Sequence, residues 1–89
     1  MSNYFDKLPL QAADELEQLS RLQYELRESH KALLHPYDVA DEALLLEKIR
    51  TRELNEHPAY EHYLGARTIA VLHGEVRSQL KHLLNILGG

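Results

Sequence analysis

Apolar side chains recur every three or four residues in three stretches of this chain, and prolines at 9, 36 and 58 punctuate those stretches. From about residue 9 to residue 34, Ala12, Leu16, Leu19, Leu26 and Leu33 share one face, with Leu22 on its flank. That period predicts an amphipathic helix of about 39 Å. Asp6 is the expected N-cap, with Pro9 tolerated in the first turn. Acidic Asp14, Glu15 and Glu17 come early and His30, Lys31 and His35 late, which complements the helix dipole.

The second stretch follows the turn His35-Pro36-Tyr37-Asp38, and Asp38 is the expected N-cap of a helix over 38–55. Its apolar positions, Val39, Ala43, Leu45, Leu46 and Ile49, crowd the first three turns. From Arg50 the pattern turns polar, so the second half is expected to be exposed or frayed. The third stretch predicts a helix over 58–87, about 45 Å long, after Asn55-Glu56-His57. Asn55 as a C-cap and Pro58 as a first-turn residue favour a true break there over a kink. Ala66, Ile69, Val76, Leu80, Leu83 and Leu87 form a heptad run that Leu72 and Ile86 widen. Gly65 and Gly74 interrupt it, at about 1 kcal/mol each against alanine, and Gly88-Gly89 is expected to end the helix.

These elements predict a single all-α domain over 1–89, either an antiparallel helical hairpin or a three-helix bundle with coiled-coil packing. The lengths are mismatched, however. Leu64, Val71 and Leu84 lie off the main stripe of the third helix, where one short partner helix does not reach. Two hairpins joined into a larger bundle would cover them, so a homodimer of about twice the 10.3 kDa chain is expected.

Composition sharpens this picture. The chain has 89 residues and no cysteine, so disulfides and thiolate zinc sites are excluded as supplements to a small core. Leucine dominates, valine and isoleucine are few, and phenylalanine occurs once, an alphabet for helices and against strands. The formal net charge of -4 argues against non-specific binding to nucleic acid. The run Lys48-Ile49-Arg50-Thr51-Arg52 is the one local basic patch, and it lacks interleaved aromatics. No apolar run approaches a membrane span, and the first residues resemble no secretion signal, so the expected location is the cytoplasm.

Candidate chemistry is sparse. Six histidines invite a metal reading, yet no two stand three or four apart, and neither Glu-x-x-His nor His-Glu-x-x-His occurs. No metal and no cofactor is expected. Cysteine is absent and no serine sits in a Gly-x-Ser-x-Gly turn, so nucleophilic catalysis has no support and no enzyme is expected. His30 and His73 each interrupt an apolar stripe, and Gln23 adds a third polar position. Paired antiparallel, the two histidines would lie at similar height near the seam, as hydrogen-bonded core-edge residues or, alternatively, as a polar layer that fixes register; in the second case acidification toward pH 5 would charge both and weaken the bundle. Tyr37, Tyr60 and Tyr63 gather near the two turns, where an apolar ring with a polar tip suits end packing or a protein interface; Tyr60, Tyr63, His57 and His62 would line a small-molecule or peptide groove, with packing at the bundle end the favoured reading.

One further stretch carries a resemblance. His57-Pro58-Ala59-Tyr60, Tyr63-Leu64-Gly65 and Leu72-His73-Gly74-Glu75-Val76-Arg77 resemble the closing helix of small helical accessory proteins of tailed bacteriophages and prophages, over about a third of the chain. The resemblance implies a virion or assembly accessory role and nothing catalytic. The sequence thus points to a protein-protein interaction module: a small homo-oligomeric adaptor, assembly accessory or regulatory subunit. Its candidate contacts are Tyr37, Tyr60, Tyr63, Leu64, Val71 and Leu84, together with the polar half of the second helix. A helical bundle that binds metal or a small molecule through its histidines is the alternative, and a weak nucleic-acid binder the second alternative.

Overall fold

Heptad rows of leucine need a facing row to bury against, and the long helices supply one another. A computed structural model describes residues 3–88, with side chains from Leu10 onward. Helix α1 covers Asn3–Leu34, a 3-10 turn covers His35–Tyr37, α2 covers Glu42–Arg50 and α3 covers Glu56–Gly88. The described residues contain no strand, so the fold is all-α. None of its helices is long and apolar enough to cross a membrane.

Helices α1 and α3 lie antiparallel. Glu15 shares a furrow with His82 and Ile86, Arg27 shares a cavity with Ala70, and a Cβ on Gly65 would stand 3.3 Å from Leu33 Cδ1. Between those points Leu19 shares a furrow with His82 and Leu83, and Leu16 and Gln23 share another with Arg77 and Leu80. The seam is asymmetric in burial: Val76, Leu80 and Leu83 are buried, whereas Leu16, Leu19 and Leu26 are only half-buried.

The densest packing lies at the closed end of the hairpin. Leu34, Leu45, Ile49, Ala59 and Ala66 form a core there, with Leu33, Tyr37, Val39, Leu54 and Tyr63 packed against it. Leu45 is fully buried, and burial of such a side chain contributes about 1.5–3 kcal/mol. Small Ala59 and Ala66 let α2 settle close on α3. Beyond α2's reach, the rest of the hairpin is two helices with no third layer.

Three boundaries differ from the sequence expectation. Helix α1 begins at Asn3, so Asp6 and Pro9 lie inside it. Proline so near a helix start forfeits a single backbone bond, to the Phe5 carbonyl. The side chains of Asp6, Tyr4 and Phe5 lie outside the described residues. The second helix spans 42–50 rather than 38–55. Asp38 adopts a left-handed conformation that closes the 3-10 turn (φ 55°, ψ 46°), and Asp41 caps α2 by accepting from the Leu44 N–H at 2.9 Å. At the far end the polar run after Ile49 leaves the helix, and Arg52 turns left-handed (φ 64°). Finally, Gly88 is the last residue of α3 rather than the first beyond it, and Gly89 lies outside the described residues.

The break before Pro58 is as the sequence suggests. His57 is extended (φ -109°, ψ 123°), the conformation that a following proline favours, and regular helix begins at Pro58.

Candidate interaction surface

The molecule is a rod, 64 × 17 × 16 Å, with a radius of gyration of 18.3 Å. A compact chain of this length would have a radius of about 12 Å. Its accessible surface is 6922 Å², whereas a compact 10.3 kDa monomer exposes about 5,400 Å². The excess, about 1,500 Å² on one chain, is about twice the roughly 800 Å² that each partner buries in a standard protein-protein interface.

Much of that surface is apolar. Leu64, Val71 and Leu84 are 40%, 57% and 53% exposed. Leu64 and Val71 stand one heptad apart on the face of α3 that points away from α1, and Tyr60 lies one turn before them. Leu84 sits instead at the rim of a furrow between α1 and α3, beside Arg77 and Lys81. Leu22, Leu72 and Ile86 are also exposed, at 41%, 43% and 50%. The sequence reading placed these three only as a widening of the stripes.

The tyrosines divide between fold and surface. Tyr37 is half-buried; its hydroxyl hydrogen-bonds His62 Nδ1, and its carbonyl accepts from Lys48 Nζ at 3.0 Å. Tyr37 is therefore engaged in holding the turn onto α2 and α3. Tyr63 is half-buried against the core, and Tyr60 stacks on it with ring centroids 5.8 Å apart while staying exposed. His57 pairs with Glu61 at 2.7 Å on an exposed turn. Of the four residues considered for a groove, Tyr60 thus stacks on Tyr63, His62 bonds Tyr37 and His57 pairs with Glu61.

The polar layer has more structure than its spacing showed. His30 and His73 line one cavity of about 210 Å³ with Arg27, Asp41, Glu42 and Ala70. His30 Nε2 lies 2.6 Å from Glu42 Oε2, both side chains being about three-quarters buried. That contact ties the C-terminal end of α1 to the first turn of α2. Gln23 is half-buried two turns away from His30, lining the Arg77–Lys81 furrow.

The remaining candidates are dispersed. Among the described residues no group of three or more histidine, aspartate or glutamate side chains gathers as a metal site would require. The basic run is split: Lys48 is turned inward to Tyr37, whereas Arg50 and Arg52 border an end furrow with Asn55, Glu56 and Tyr60. Among the described residues no buried side-chain nitrogen or oxygen lacks a hydrogen-bond partner.

Comparison with known proteins gives one finding. The model of the family described as Uncharacterized protein MJ0235 family matches residues 11–86. No curated protein and no solved structure matches the chain.

Proposed function

The chain belongs to the MJ0235 family, whose description carries no activity, and from its surface we propose that it is a small homo-oligomeric helical adaptor, with the dimer as its smallest unit. In this reading the protein works by holding other proteins and catalyses nothing. The observation that supports it is the excess of about 1,500 Å² over a compact monomer, combined with the apolar character of the exposed rows. Exposed apolar side chains grouped in rows, with polar residues around them, are characteristic of interaction sites.

Tyr60, Leu64 and Val71, on the outer face of α3, are the residues this reading assigns to a partner protein. Tyrosine and aliphatic anchors surrounded by polar neighbours have the composition of interface centres. Tyr37, with both its polar groups engaged internally, supports the surface from behind. An assembly accessory role, as the resemblance to phage accessory proteins implies, is one form such an adaptor takes.

Thermal unfolding tests the reading against its metal-binding rival. An obligate oligomer unfolds at a higher temperature as protein concentration rises. The adaptor reading therefore expects the melting temperature to climb between about 1 and 100 μM chain, following mass action. A melting temperature indifferent to chain concentration, but raised on titration with zinc or nickel, would overturn the adaptor reading in favour of a metal-binding bundle.

A further inference from the structure

The two sides of the hairpin differ in charge, and that difference bears on how copies meet. One side carries a furrow of about 460 Å³ lined by Glu15, Leu19, His82 and Ile86, among others. A step of seven from Glu15 reaches Leu22, and two such steps back from Ile86 reach Leu72; Glu25 lies one turn on from Leu22, and Glu75 one turn on from Leu72. All four of these residues are exposed. The heptad rows on this side hold no lysine or arginine between residues 11 and 86. It is an apolar, acidic flank.

The opposite side carries a furrow of about 630 Å³ whose lining includes Ser20, Gln23, Arg77, Lys81 and Leu84. Further along, the same side reaches Arg27 and Ala70, where Asp41 and Glu42 at the start of α2 already cover it. The open part of this side is therefore a basic furrow with a leucine at its rim. Neither Arg77 nor Lys81 has a salt-bridge partner among the described residues.

Like flanks brought together would set Glu15, Glu25 and Glu75 against their own copies, or Arg77 and Lys81 against theirs. Like charges facing one another across an interface cost free energy, while opposite charges fix register and speed encounter. Unlike flanks avoid that conflict and also bury Leu22, Leu72 and Ile86 against Leu84.

We propose that a second copy of this chain seats its Leu22–Leu72–Ile86 flank on the Arg77–Lys81–Leu84 furrow of the first. The proposal rests on the self-association reading and specifies its geometry. Because the two patches differ, the contact is heterologous. A pair so formed keeps one free flank of each kind, and further copies add until a ring closes or a filament grows.

Charge reversal with mixing provides the test, since all four positions are exposed. Arg77→Glu with Lys81→Glu makes one variant; Glu15→Lys with Glu75→Lys makes the other. Each alone should associate at least about tenfold more weakly than wild type at low salt, because each turns an attractive contact into a repulsive one. Mixed at equal concentration, the two should regain association, since each then offers the charge the other lacks. Association of the wild type should weaken as salt rises. If the Arg77/Lys81 variant associates like the wild type, the unlike-flank contact is wrong while self-association stands. If the wild type itself stays a single chain at every concentration, both readings fall. A wild type that stays single but binds a short single-stranded oligonucleotide through Arg77 and Lys81 would give the furrow to nucleic acid and overturn the proposal.

Discussion

Gly65 and Gly74 lie on the same helix, yet the structure gives them opposite roles. A Cβ at Gly65 would meet Leu33 Cδ1 at 3.3 Å, whereas a Cβ at Gly74 would meet nothing within 4 Å. Gly65 is a place of close helix approach, and Gly74 is a helix-weakening residue in open space. Gly74→Ala is expected to stabilise the fold by about 0.5–1 kcal/mol through helix propensity alone. Gly65→Ala should gain less or lose, because the Leu33 tip must move to admit the methyl. Denaturant unfolding of the two variants would show this, and an equal gain from both would contradict the close approach. The sequence marks both glycines alike, since backbone proximity to another helix leaves no local signature. His30 and Glu42 show the same limit: their 2.6 Å contact joins residues separated by a turn and a cap, and no helical spacing links them.

Among the elements, α1 and α3 were legible because their apolar period runs for many turns, and each such row keeps its phase against a straight partner. Helix α2 was legible as an element and misjudged in its bounds. Asp38 and Asp41 are both good capping residues, and only the backbone separates them: Asp38 is left-handed, while Asp41 is extended and accepts from Leu44 N–H. Asp41→Ala is expected to cost about 1 kcal/mol, whereas Asp38→Gly, which suits a left-handed backbone, should cost nothing. Thermal melts of both variants decide the point, and a larger loss at Asp38 would restore the earlier helix start. Of the apolar positions of the second stretch, Leu45 and Ile49 are buried, Val39 and Leu46 half-buried and Ala43 exposed; the polar end of that stretch leaves the helix because no facing surface rewards its continuation. Of the candidate surface, Leu64, Val71 and Leu84 could be placed off the stripe by spacing alone. The acidic and basic flanks were also present in the heptad rows, as the residues one step to either side of the seam, and would have emerged from reading those rows for charge as well as for leucine.

At the scale of the whole molecule, the account turns on shape. A chain of this size closes a compact core only if a third long element covers the hairpin, and α2 spans just nine residues. The hairpin beyond it keeps leucines on both flanks and on the back of α3 partly in water, an arrangement that a monomer tolerates poorly and an assembly uses. Sedimentation equilibrium of the purified chain at tens of micromolar and low salt measures this directly. The account predicts a mass of at least twice 10.3 kDa, rising further with concentration if unlike flanks meet. A single species at 10.3 kDa across that range would contradict it.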